Sequence, residues 1–148
     1  MHFERKKRHK KDNMTMKTIR VAAAIICDDM THPARIFATA KGYDEFKGKW
    51  EFPGGKIEAG ETSQQALIRE IREELDTEIE IGELVTTVEY GYPAFHLSMD
   101  CFWAQVKEGE LTLKEAQEAR WLSADQLYEV EWLPADMELI EKIKKAMR

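Results

Sequence analysis

Three glutamates on a single short segment are the first candidates for chemistry. They close the stretch WEFPGGKIEAGETSQQALIREIREEL, Trp50 to Leu75, in which a Pro/Gly turn runs through a short extended piece into a helix. Thr62 and Gln65 supply the Thr-x-x-Gln pattern of a capping box, which predicts that the helix begins at Thr62. At about 100° per residue, Leu67, Ile68, Ile71 and Leu75 form one buried stripe, and Glu70, Glu73 and Glu74 crowd the arc beside it. Like charges at i,i+4, here Glu70 and Glu74, cost roughly 0.2–0.5 kcal/mol, and anions near a helix C-terminus oppose the macrodipole. A bound cation reverses that sign. The competing reading is a plain solvated helix laced by the i,i+4 pairs Arg69–Glu73 and Arg72–Asp76.

The residues ahead of the helix favour the cation. Gly54-Gly55 lets backbone approach a ligand closely, so carbonyls there can face a metal that the helix carboxylates also reach. Oxygen-only ligation suits Mg²⁺ or Mn²⁺, which keep water and hold phosphates. Gly55, five residues, Glu61, seven residues, Arg69-Glu70-Ile71, one residue and Glu73-Glu74 resembles the signature of the Nudix hydrolases at every position up to Glu74. The family then places Gly and an aliphatic where this chain has Asp76 and Thr77. Asp tolerates the left-handed conformation of a helix-ending Gly, so the departure predicts a small stability cost and intact chemistry.

Around that stretch, 148 residues suffice for one domain and one core. Residues 1–17 lack apolar periodicity, carry the run RKKRHKK and read as a disordered basic tail, leaving 18–148 as the domain. Up to Arg20 there are eight Lys/Arg against two Asp/Glu, so the remainder is strongly acidic. No aromatic residue interleaves the basic run to stack on bases, so no nucleic-acid partner is expected. No secretory h-region or membrane-length apolar run is present, which predicts a soluble cytoplasmic protein, and Cys27 and Cys101 read as reduced core thiols. Strands are expected at 18–28, 34–41, about 78–90, 95–106 and about 118–122, the third and fourth paired around Gly91-Tyr92-Pro93. Helices are expected at 123–129 and 134–147, the last opening on Pro134. This order of elements is an α+β fold; the Nudix resemblance implies an α/β/α sandwich with a central mixed sheet.

The resemblance extends over about 18–146 to the MutT-like branch and its cytidine-triphosphate relatives, and it implies a role for each site residue. By that likeness Glu70, Glu73, Glu74, the Gly54 carbonyl and Glu115, six residues before Trp121, hold Mg²⁺ or Mn²⁺. It likewise implies that Arg69 orients the carboxylates and Glu61 supports them, that Lys41 contacts phosphate, and that Glu115, Glu70 or Glu73 takes the proton from water. Ile19, Val21, Ala23, Phe52, Tyr92 and Leu97 would surround a nucleobase, and Asp136 would read its edge. An ionised Asp136 only accepts hydrogen bonds, whereas the MutT proteins place Asn there, which both donates and accepts. The implied reaction is cleavage of a nucleoside triphosphate, CTP- or 8-oxo-dGTP-like, to monophosphate and pyrophosphate, by a monomer or homodimer. The alternatives are a dinucleotide pyrophosphatase, acting on ADP-ribose or a diadenosine polyphosphate, and a nucleotide sensor without catalysis.

Overall fold

The computed structural model describes residues 17–42, 45–113 and 118–148. All of the basic extension except Lys17, together with Glu115, therefore lies outside the described residues. Among the described residues, seven strands form two sheets: β1 (Thr18–Ile26), β2 (Arg35–Ala40), β3 (Trp50–Glu51), β4 (Gly54–Lys56), β5 (Glu78–Gly91), β6 (His96–Glu108) and β7 (Glu118–Ser123). The larger sheet has the order β4-β1-β6-β5, with β1 parallel to β6 and the other pairs antiparallel. The smaller, β3-β2-β7, is wholly antiparallel.

The run Val21 to Cys27 is apolar throughout because β1 is covered on both faces. Val21, Ala23 and Ile25 pack in a layer with Leu139, Ile140 and Ile143 of α2 (Met137–Ala146). Ala22, Ala24 and Ile26 pack in a second layer with Leu67, Ile71 and Leu75 of α1 (Ser63–Leu75). Helices on opposite faces of a mixed sheet give the expected sandwich, although the strands divide between two sheets. Cys27 and Cys101 are free and buried, and burial pushes the Cys27 thiol up to about 11.

Several boundaries shift for local reasons. Residues 124–129 wind as a 3-10 turn, and the expected 134–147 helix opens with a 3-10 turn at Pro134–Asp136 before α2. Register shifts in β5 break strict alternation against β6, and Trp103 is only half-buried. Ile68 is half-buried, while Ala66 joins the core stripe.

The start and end of α1 are set by local chemistry. The Thr62 hydroxyl accepts the Gln65 N–H at 3.1 Å and the Gln65 side chain accepts the Thr62 N–H at 2.9 Å. Asp76 ends the helix at φ 51, ψ 44, the left-handed conformation expected of it. That turn carries Asp76 away from Arg72, which pairs instead with Glu78 at 3.0 and 2.9 Å. Thr77 is buried in place of an aliphatic, and its hydroxyl donates to the Leu75 and Glu110 carbonyls, both at 2.8 Å. Asp76→Gly should stabilise the protein by about 0.5–1 kcal/mol, because Gly adopts this conformation without the Cβ penalty. Urea denaturation checks it; an unchanged midpoint would mean Asp76 is not strained.

Candidate active site

The Pro53-Gly54-Gly55 turn is pressed onto β1. Pro53 accepts the Ala24 N–H at 2.8 Å, and Gly54 and Gly55 lie opposite Ala23 and Ala22. A Cβ on Gly54 would stand 2.0 Å from the Ala22 carbonyl oxygen, so only glycine permits this approach. A Cβ on Gly55 would stand 2.2 Å from the carboxyl carbon of Glu70. Gly55 thus vacates the space in which the Glu70 carboxylate sits, one residue after the carbonyl expected to face a metal. Helix α1 brings Glu70 there because Leu67, Ile71 and Leu75 seat its opposite side in the core.

Arg69 is the hub of this end of the helix. Its Nε and Nη2 donate to the two Glu61 oxygens at 2.8 and 2.9 Å, Nη1 donates to Glu70 at 2.9 Å and Glu73 at 3.5 Å, and Nη2 also reaches the Lys56 carbonyl at 3.0 Å. The Arg69 hydrogen bonds, joined by the Glu58 N–H, hold the Glu61 carboxyl down to about 2. One guanidinium therefore joins two of the helix acids to Glu61 and to the turn, which is the geometry that the orienting role proposed for Arg69 would need. Glu73 is the outermost acid, with its side chain 61 % exposed.

Glu74 lies on the inner side. Burial, aided by the charges of Glu70 and Glu51 and a hydrogen bond with Glu70, pushes its carboxyl up to about 8. Glu70 and Glu74 together form an all-oxygen site whose crowded negative charge a divalent ion would offset. Among the described residues no three His, Cys, Asp or Glu side chains converge as a ready-made cage. An open site of one or two carboxylates plus water and phosphate is the arrangement Mg²⁺ prefers, so the donor set fits such an ion.

Glu51 is a residue that sequence reasoning missed. It is buried on β3, and its charge raises the carboxyls of Glu74 and Asp136 and the phenol of Tyr92 alike, so it lies near both the acids of α1 and the expected base reader. The placement depends on a long-range link: Trp50 donates its N–H to Glu131 at 2.8 Å and accepts the Leu133 N–H at 2.9 Å. Only the local sequence Trp50-Glu51-Phe52, a carboxylate between two large aromatics, points to a packed position.

The residues expected to surround a base lie together in the core. Ile19, Val21, Ala23, Phe52 and Leu97 share one core cluster, with Tyr92 packed against it. Phe52 stacks on Trp132 at 4.9 Å, and Tyr92 lies against Tyr90 at 4.7 Å and Phe95 at 5.1 Å. Asp136 is 4 % exposed, and burial first, then the Glu51 charge, holds its carboxyl well above the usual carboxylate range against the opposing pull of Lys41. Lys41 is itself 5 % exposed, a buried cation beside Asp136 and not a surface amine.

Residues 17–143 match the NUDIX domain family. The chain belongs to the Nudix family. It is 35% identical over 131 residues to the 8-oxo-dGTP diphosphatase of Escherichia coli K12, spanning 88% of this chain and 99% of that one. It is 34% identical over 126 residues to the CTP pyrophosphohydrolase of the same organism, spanning 85% and 91%. Among solved structures, that of the E. coli ORF135 protein superposes with a TM-score of 0.74 at 33% identity, covering 88% of this chain and 91% of that one. The fold of the Burkholderia pseudomallei MutT NUDIX hydrolase is also similar, with a TM-score of 0.75 at 24% identity, covering 86% and 98%. This Nudix hydrolase has, among its described residues, no helix long and apolar enough to cross a membrane.

Proposed function

We propose that this Nudix hydrolase cleaves nucleoside triphosphates to monophosphate and pyrophosphate, using Mg²⁺ or Mn²⁺ held by Glu70, Glu73, Glu74, the Gly54 carbonyl and Glu115. The observation that carries the proposal is the Glu70–Glu74 pair: the Glu70 carboxylate fills the space that Gly55 vacates, and burial raises the proton affinity of Glu74 beside it. A divalent cation in such a site lowers the pKa of bound water and neutralises phosphate charge. The chain's own residues do the rest. Arg69 donates to Glu70 and Glu73 and so aims them, and a carboxylate of this group, Glu70, Glu73 or Glu115, accepts the proton of the attacking water. Lys41 adds a buried positive charge for the phosphate chain, and Phe52, Tyr92, Leu97, Ile19, Val21 and Ala23 enclose the base.

Asp136 bears on the choice of base. Its surroundings favour the protonated carboxyl, which offers one donor and one acceptor side by side. Such a pair suits O6 and N7–H of 8-oxoguanine, or N3 and the amine of cytosine, in line with relatives named for 8-oxo-dGTP and for CTP.

Pyrophosphate release from CTP, dCTP, 5-methyl-dCTP, dGTP and 8-oxo-dGTP, with and without Mg²⁺, tests the proposal, with ADP-ribose and a diadenosine polyphosphate alongside. Metal-dependent pyrophosphate release from one or more triphosphates is the expected result. Cleavage of the dinucleotides alone, or tight binding without release, would overturn it.

A further inference from the structure

Phe52 sits between two stretches of main chain that are each tied down. On one side, Trp50 donates its N–H to the Glu131 carbonyl at 2.8 Å and accepts the Leu133 N–H at 2.9 Å, so that Trp50 and Trp132 form a parallel bridge. On the other, the Pro53 carbonyl accepts the Ala24 N–H at 2.8 Å and Gly54 is pressed onto Ala22. With the backbone held at both ends, the freedom left to residue 52 lies in its side-chain torsions. Those torsions are limited by whatever packs against the ring.

Trp132 packs against one face of it, with ring centroids 4.9 Å apart and the planes inclined by 22°. The indole is itself fixed, because its Nε1–H donates to the Leu127 carbonyl at 2.7 Å. Leu127 belongs to the 3-10 turn Ala124–Glu129 and is fully buried. That turn is in turn anchored to the end of β7, where Ser123 donates its N–H to the Gln126 side chain at 3.0 Å. Both Phe52 and Trp132 are buried. Rotating the indole would leave a buried donor and a buried acceptor unpaired, so Trp132 is a rigid backstop for the Phe52 ring.

We propose that Trp132 is a positioning residue for base selection: its indole, locked onto Leu127, sets how far the Phe52 ring stands into the base pocket and so which size of base fits. This rests on the reading of Phe52 as part of the wall around the base and adds a residue behind that wall. A base meets Phe52 only on the surface that Trp132 leaves open. A smaller side chain at position 132 leaves space behind the ring, which Phe52 enters because packed interiors close over voids. The pocket then widens, and purines gain relative to pyrimidines. The acids of α1 stay where they are, so the change falls on KM and not on kcat.

The test measures kcat and KM for dGTP and dCTP in the parent, Trp132→Leu and Trp132→Phe, and repeats both changes in a Phe52→Leu background, with thermal melting to verify folding. Trp132→Leu should raise the dGTP-to-dCTP ratio of kcat/KM by about 3–10-fold, through KM. Trp132→Phe keeps an aromatic face but is smaller and has no N–H for Leu127, so it should raise the ratio by about 2–3-fold. Neither should move the ratio once Phe52 is already Leu. If Trp132→Leu does not fold, Trp132→Phe decides by itself. An unchanged ratio, a parallel fall in kcat for both nucleotides, or an equal shift in the two backgrounds would each overturn the inference while leaving Phe52 in the wall. If Phe52→Leu itself leaves the ratio unchanged, the underlying reading of the wall fails and this one falls with it.

Discussion

Glu74→Gln should reduce turnover at least about a hundredfold and at the same time make the metal-free protein more stable at alkaline pH. The loss comes from removing one of the few oxygen ligands of the proposed cation, whose water and charge carry the reaction. The gain comes from the proton affinity of Glu74, pushed up to about 8 by burial and by Glu70 and Glu51. A carboxyl whose folded pKa exceeds its ordinary value binds its proton more tightly in the folded state. Its contribution is full below the ordinary carboxylate range and is lost as pH rises through about 8, where the folded chain must hold an unwelcome anion. Gln has the same shape and no charge to lose. At pH 8 to 9 without metal, the variant should therefore be more stable by about 1–3 kcal/mol, several degrees in Tm, and the difference should vanish near pH 4. Mg²⁺ should raise the Tm of the parent and leave the variant nearly unmoved. Full activity in the variant, or a lower Tm at pH 8, would remove Glu74 from its assigned place.

The two adjacent glycines should fail in different ways. Gly55→Ala directs a methyl at the Glu70 carboxyl, the mobile end of a side chain, so the protein folds and Glu70 swings out of position. A displacement of that size at a reacting centre costs on the order of a hundredfold in kcat, with stability close to that of the parent. Gly54→Ala directs its methyl at the backbone carbonyl of Ala22, which is held in the β1–β4 pairing and cannot step aside. Overpacking of this kind costs about 1–3 kcal/mol or more. Circular dichroism melts with single-turnover assays on both variants separate the outcomes; an active Gly55→Ala would mean that Glu70 does not need its cradle.

What the amino-acid order makes legible is mostly what is settled within a few residues. The Thr62/Gln65 cap, the buried side of α1, the left-handed Asp76 and the β5–β6 hairpin depend on local geometry, and each is where its residues indicate. The parts that are not legible depend on partners distant in sequence. Glu51 looks like an ordinary acid because its location is set by the pairing of Trp50 with residues 131 and 133. The burial of Lys41 is hidden because nothing nearby in sequence reveals Asp136 beside it. Arg72 has an acid at i+4, but the left-handed turn at that acid gives it Glu78 instead. The wall residues Ile19, Val21 and Ala23 come from family likeness, and periodicity alone does not separate a ligand wall from core.

The stacking of Phe52 on Trp132, with Trp50 bonded alongside, gives this protein an intrinsic optical gauge of occupancy. Of its four indoles, these two are buried next to Glu51 and the Asp136 turn, whereas Trp121 is exposed on the far strand of the smaller sheet. A purine or pyrimidine settling against that wall would change the emission of the buried pair and leave Trp121 as an internal reference, so nucleotide titrations need no attached dye.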